Sequence, residues 1–174
     1  MKEKSRWEEA FKGKKITMLG LGLLGRGVNV AKFLVDQGAI LTITDLKTEK
    51  ALAPSLRALK KYRNIRYTLG EHTLSDFQHA DIVIKAAGVP LHSPYVQEAR
   101  KHNIPVEMDA SLFAKFAPKG VEMIGVTGTR GKSTVTHLIH HILMHAKRAV
   151  YMGGNIRGTA TLPLLKKVKA GDVV

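Results

Sequence analysis

Apolar positions along this chain alternate between short unbroken runs and longer stretches with helical spacing. Residues 15–20 (KITMLG) form one run ending at glycine, and residues 39–45 (AILTITD) form a second. A shorter run follows at 65–69, a strong one at 81–86 (DIVIKA), and another near 104–108. Between them, residues 24–37 (LGRGVNVAKFLVDQ), 48–62 and 93–102 repeat their apolar residues at the spacing of a helix that buries one face; Gly38 stops the first, and the second holds Pro54 in its first half. This alternation predicts an α/β fold with a parallel sheet and helices on its faces, and runs such as DIVI suit strands covered on both sides. Trp7 and Phe11, four residues apart, predict a short N-terminal helix stapled against this unit.

The pattern changes at residues 109–120 (DASLFAKFAPKG), an amphipathic segment closed by Pro-Lys-Gly. A fresh unit then opens: a strand at 121–126 (VEMIGV), a glycine-rich loop, a helix at 132–146, a strand at 148–152, a glycine turn, a helix near 160–168, and a strand beginning at GDVV. The division expected is therefore a first domain over 1–110, a linker over 111–120, and the start of a second domain over 121–174. So few strands leave sheet edges and helix faces uncovered, which predicts a truncated domain or one completed by something else. Met108, Met123, Met144 and Met152 fall in apolar runs and are expected in the core.

Composition narrows the classes. The 174 residues contain no cysteine, which excludes disulfide frameworks, zinc ribbons and thiol nucleophiles. The charged N-terminus lacks the apolar core of a signal peptide, and no stretch approaches the ~20 apolar residues of a membrane span. The expected location is the cytoplasm. Twenty-eight Lys and Arg against fourteen Asp and Glu give a net charge of +14. The basic residues are spread in small groups, such as Lys12/Lys14/Lys15, Lys60/Lys61/Arg63 and Lys166/Lys167/Lys169, with only 6% aromatics. Such a field suits anionic small ligands without the signature of specific nucleic-acid recognition. His137, His140, His141 and His145 share a helix with no further metal ligand nearby, so a metal site is not expected there.

Two glycine motifs carry the chemistry. Gly20-Leu-Gly22-Leu-Leu-Gly25 follows the first strand and opens a helix, where glycines let the backbone approach a pyrophosphate and the helix terminus supplies amides. Asp45 ends the next strand, where a carboxylate can accept from a ribose or a base. The motif does not separate NAD from other nucleotide diphosphates. The second motif, in VEMIGVTGTRGKST (121–134), is again strand, glycine loop and helix. Gly131-Lys132-Ser133 has P-loop chemistry: amides cradle phosphates, Lys132 neutralises them, and the Ser133 hydroxyl can ligate Mg²⁺. The strict GxxxxGK[ST] spacing is not met, because Val126 stands at its first glycine.

The string Gly125-Val-Thr-Gly128-Thr129-Arg130-Gly131-Lys132-Ser133-Thr134 resembles the P-loop of the Mur ligase superfamily, in which that offset glycine is usual. The resemblance implies ATP and Mg²⁺ as cofactors and an ADP-forming ligation: a carboxylate is phosphorylated and an amine attacks the acyl phosphate. It implies ATP binding by Gly128, Thr129, Arg130, Gly131, Lys132, Ser133 and Thr134, with Lys132 catalytic and Ser133 on the metal. The GLGxxG first domain is similar to that of the members that add D-glutamate to UDP-N-acetylmuramoyl-L-alanine in peptidoglycan synthesis. By that similarity Gly22, Leu23 and Leu24 meet the pyrophosphate of the UDP-sugar, Asp45 lies on the uracil side, Gly70 lines the site, and Asn155 of Gly154-Asn155-Ile156 approaches the diphosphate. Two positions depart from the pattern: Ala86-Ala87-Gly88 replaces a usual Ser-Pro-Gly, and Arg157 replaces a glycine. The acidic metal ligand, histidine, modified lysine and C-terminal domain of the superfamily have no counterpart in this sequence, which predicts nucleotide binding without ligation.

Other classes stay open on residues alone. An NAD(P)-dependent oxidoreductase would use Gly20, Gly22, Gly25 and Asp45 and leave the second loop unexplained. A non-catalytic nucleotide- or nucleic-acid-binding module would bind nucleic acid in a salt-sensitive way. Within the superfamily, alanine-adding and folyl- or polyglutamate-forming ligases share the same P-loop.

Overall fold

The structure, a computed structural model, describes residues 6–23, 25–154 and 158–174. The first half follows the periodicity closely. In chain order it runs α1 (Arg6–Phe11), β1 (Lys15–Leu19), α2 (Arg26–Asp36), β2 (Ile40–Asp45), α3 (Glu49–Leu59), β3 (Ile65–Leu69), a 3₁₀ turn (Leu74–Phe77), β4 (Ile82–Lys85), α4 (Pro94–Lys101), β5 (Val106–Glu107) and α5 (Asp109–Phe116). All five strands are parallel in the order β3-β2-β1-β4-β5, with Met18 opposite both Ile43 and Ile84.

Period-two alternation distributes the core over both faces of the central strands. Ile16 and Met18 of β1 join Leu41 and Ile43 of β2 and the buried face of α2 (Val28, Val30, Ala31, Phe33, Leu34). Leu19 and Val83 face the other way, onto Phe77, Val96 and Ala99 of the 3₁₀ turn and α4. On the first face Trp7 and Phe11 of α1 meet the Phe33 ring at centroid distances of 5.4 and 6.0 Å, and Phe116 of α5 closes on Phe11 at 5.5 Å. The N-terminal helix is therefore a staple across the sheet face, built from edge-on and tilted ring contacts.

The second half departs from expectation. Helix α6 (Lys132–His145) forms as its periodicity indicates, and a 3₁₀ segment (Leu162–Lys166) stands where a longer helix was expected. The expected strands at 121–126 and 148–152 shrink to isolated parallel bridges, Glu122 to Val173 and Val150 to Val173, with the C-terminal segment between them. Helix α6 buries none of its residues. Met123 and Met144, expected in the core, are 52% and 54% exposed, beside exposed Ile124, Val135, Leu138 and Ile142. The physical reason is the missing layer: a sheet held by single bridges offers α6 too little surface to bury its apolar stripe. An apolar hollow of about 310 Å³ separates α6 from that rudiment. Replacing Leu138, 56% exposed, by Gln should therefore change unfolding free energy in this chain by no more than about 0.5 kcal/mol in urea titration. A loss of ~2 kcal/mol or more, as for a core leucine, would show that α6 is covered after all.

The two halves are tied at definite points. The 3₁₀ segment packs on α5 and α2, and Leu162 and Leu165 enter the main core. The Asp109 carboxylate accepts from Thr161 N at 3.2 Å, and Asn29 Nδ2 of α2 donates to Gly158 O at 2.8 Å. Among the described residues no helix is long and apolar enough to cross a membrane.

Candidate functional site

The strand order reverses between β1 and β4, and at that switch point the carboxyl ends of a doubly wound sheet open a crevice. A cleft of about 550 Å³ lies there, lined by the Gly20–Leu23 backbone, Arg26, Asp45, Lys47 and His72. The turn after β4 (Ala86, Gly88, Val89) closes its other side, with Lys85 and Asp109. Of the residues expected at a UDP-sugar, Gly22, Leu23 and Asp45 converge on this cleft. Gly70 is not among its lining residues; its amide donates to Asp45 O at 2.9 Å and Lys47 O at 3.1 Å, closing the loop after β2. Leu24 and Asn155 lie outside the described residues, as do Ile156 and Arg157. Gly158, just beyond them, sits on the first glycine loop: a Cβ on Gly25 would stand 3.5 Å from Gly158 Cα.

Asp45 is committed to the loop's own backbone. Its Oδ2 accepts from Leu21 N at 2.9 Å and Gly22 N at 3.0 Å, and its Oδ1 from Lys47 N at 2.9 Å. Burial pushes this carboxyl up, but the amides of Gly22, Lys47 and Leu21, aided by the Lys47 charge, outweigh it and hold the group below the ordinary carboxylate range. The carboxylate thus spends much of its accepting capacity on shaping the loop that would meet a phosphate.

Three contributors were not singled out from sequence. Gly27, in the first turn of α2, lies so close to the loop that a Cβ there would stand 2.1 Å from Leu21 O. Ser55 of α3 donates to Gly22 O at 2.9 Å, holding the loop from outside. His72 meets Thr44 Oγ1 through Nδ1 at 2.5 Å and stacks edge-on to Tyr95 at 4.7 Å. Burial holds its imidazolium below the ordinary histidine value, against the opposing pull of Asp45 and Asp76. A GxGxxGxG reading would have flagged Gly27; nothing in the local sequence marks Ser55 or His72.

The second glycine loop precedes α6. Gly131 caps that helix in the left-handed region, φ 78°, as Gly25 caps α2 at φ 82°, and neither helix has a side-chain cap bond or an acid in its first turn. Helix α3, by contrast, has the Thr48 cap and Glu49. Both glycine-capped helices place a base, Arg26 or Lys132, where the dipole favours an acid, an arrangement suited to an incoming anion. The first backbone bond of α6 runs from Val135 N to Gly131 O at 2.9 Å, so the amides of Lys132, Ser133 and Thr134 have no partner within the helix. The Lys132 ammonium folds over the loop, donating to Gly128 O at 2.5 Å and Thr129 O at 3.4 Å. Thr129, Arg130, Ser133 and Thr134 are all exposed around it.

A parallel sheet of order 3-2-1-4-5, with its glycine loop at the switch point, defines an α/β protein of Rossmann-like topology. The chain belongs to the Mur ligases: residues 14–107 match the family of Mur ligase MurD-like N-terminal domains. It is 42% identical over 149 residues to the UDP-N-acetylmuramoylalanine--D-glutamate ligase of Borreliella burgdorferi (strain ZS7), covering 85% of this chain and 32% of that protein. It is 40% identical over 162 residues to the ligase of the same name from Geobacter metallireducens, covering 93% and 34%. Among solved structures, a pseudomurein peptide ligase type C from Methanothermus fervidus matches with a TM-score of 0.50 at 26% identity, covering 92% of this chain and 32% of that one. The chain thus spans about a third of the length of the curated relatives it matches.

Proposed function

We propose that this chain is the front portion of an ATP-dependent, amide-bond-forming ligase of cytoplasmic peptidoglycan precursor synthesis, adding D-glutamate to UDP-N-acetylmuramoyl-L-alanine. Residues 1–110 are assigned to the UDP-sugar-binding domain and 121–174 to the opening of the ATP-binding domain; of the linker expected over 111–120, the α5 part packs into the first half, with Leu112 and Phe113 in its core. The observation that carries this reading is the junction at the N-terminus of α2: the glycine loop after β1 and Gly158 of the second half meet there, joined by the Asn29–Gly158 bond of 2.8 Å, over a cleft that holds Arg26 and Lys47. A diphosphate fits such a place, because two cations converge there on the start of α2, whose first backbone bond, Asn29 N to Gly25 O at 3.0 Å, leaves the preceding amides without a partner in the helix.

The donor set of the second loop fits ATP phosphates: the Lys132 ammonium, the free amides at the start of α6 and the exposed Arg130. Ser133, in the first turn, has the hydroxyl that would hold Mg²⁺, whose role with ATP is to supply an activated phosphoryl group. Lys132 moves from the Gly128 and Thr129 carbonyls to the incoming anion, and Gly128, Thr129, Gly131 and Thr134 shape the cradle. Phosphoryl transfer rests on positioning and on metal held by more than one group, so this chain is expected to bind nucleotides without turning over.

Calorimetric titration of the chain and of Lys132→Ala with Mg·ATP, UDP-N-acetylmuramoyl-L-alanine and NAD tests the reading. The expected result is UDP-sugar binding by both proteins, with ATP affinity reduced about tenfold or more in the variant, the loss of one charge-assisted contact. Binding of NAD without binding of the UDP-sugar would sink it in favour of an oxidoreductase.

A further inference from the structure

Lys85 is a buried cation without a counter-charge. It ends β4, is 7% exposed, and lines the switch-point cleft. Its ammonium donates to Val89 O at 2.9 Å and more weakly to Ala86 O at 3.4 Å. Among the described residues no carboxylate oxygen lies within 4.0 Å of it; Asp45 and Asp109, the acids lining the same cleft, bind backbone amides instead. An ammonium has three donors, and carbonyls satisfy hydrogen bonds without neutralising charge. Lysine is almost never this buried unless paired, because desolvating an unpaired ammonium is costly.

We infer that Lys85 is a ligand-binding residue of the cleft, its free donor reaching a phosphate oxygen of a bound nucleoside diphosphate. The inference rests on the cleft being the UDP-sugar site, and assigns a cation to the wall opposite the glycine loop. The start of α2 approaches the diphosphate from the β1 side, the Leu21 and Gly22 amides being held by Asp45; Lys85 approaches it from β4, beside the turn at 86–89. Its charge also selects: a ligand is favoured in proportion to the negative charge it brings. This gives Lys85 a signature that a strut for the 86–89 turn would lack, since losing a strut weakens every ligand alike.

The test compares UDP with uridine, titrated by NMR into the chain and into Lys85→Met and Lys85→Arg. Met keeps the length of the side chain and removes the charge; circular dichroism and thermal melts verify folding. The expected result is an affinity for UDP about tenfold or more weaker in Lys85→Met, with uridine within about twofold, and a UDP preference largely kept in Lys85→Arg. Should Lys85→Met not fold, the ratio of the two affinities in Lys85→Arg and the lysine ¹⁵Nζ resonance of the unmodified chain still decide: UDP must shift that resonance and uridine must not. Equal losses for both ligands, or no loss, would overturn the role of Lys85 while leaving the cleft intact. Failure of the unmodified chain to bind UDP at all would overturn the cleft reading, and Lys85 with it.

Discussion

Gly27→Ala should cost about 3 kcal/mol or more in unfolding free energy and abolish binding of UDP to the cleft. The added Cβ would stand 2.1 Å from the Leu21 carbonyl oxygen, 2.9 Å from its carbon and 3.1 Å from Leu21 Cα, all of them backbone atoms that have no rotamer to change. Neither partner can step aside. Leu21 is buried, its amide is held by Asp45, and Gly20 N is tied to Thr44 O at 2.8 Å, so the loop is pinned from below. Helix α2 is pinned by Val28, Val30, Ala31, Phe33 and Leu34 in the core. Any relief must lift the helix start off the loop, separating the amides that would meet a phosphate. Gly125→Ala is the control, since a Cβ at 125 meets nothing within 4 Å and the residue does not line the cleft, and its effect should stay within about 0.5 kcal/mol. Urea titration and a UDP binding curve read both variants. Gly27→Ala with unchanged midpoint and affinity would mean that the close approach of α2 to the loop is wrong.

What periodicity alone could reveal in this chain depends on how far each element's partners lie within the same half. For β1 to β5 the apolar runs coincide with the strands to within a few residues, because each pairs with a strand of that same half. Residues 121–126 and 148–152 carry runs just as apolar, yet form only the bridges to Val173. A strand needs a neighbour along its length, and a local pattern cannot report whether one exists. The same distinction separates the site residues. Glycine loops and the GK[ST] core are contiguous, so their chemistry is visible in a line of residues. Gly27, Ser55, His72 and Lys85 acquire their roles from groups brought beside them by the fold, as when Ser55 reaches Gly22 from thirty-three positions away. Asp45 was visible, but the direction of its carboxylate was not: it turns to Leu21, Gly22 and Lys47.

That direction makes Asp45→Asn the second large effect, about 2–4 kcal/mol in unfolding free energy at neutral pH. The carboxylate serves loop amides on one oxygen and Lys47 N on the other. An asparagine has a single accepting oxygen, so its NH₂ must face at least one N–H that the carboxylate satisfied, leaving a buried donor unpaired. The pH dependence gives the sign. Because the Asp45 carboxyl is held below its ordinary range in the folded chain, its contribution is complete above the unfolded-state value and is lost as pH falls through the folded-state value. The difference in stability between the chain and Asp45→Asn should therefore be flat near neutrality and shrink toward acid, below about pH 4. His72 titrates on a higher limb, where its burial costs stability as pH falls below the ordinary histidine range of about 6.5; because the Asp45 charge favours the imidazolium, Asn at 45 deepens that cost, and the gap widens slightly there before it shrinks in acid. Urea unfolding of both proteins from pH 7 down to about 3 measures the gap. A gap that stays constant to the lowest pH would show that no depressed carboxylate holds the loop, and the shape of the cleft would have to come from the glycines alone.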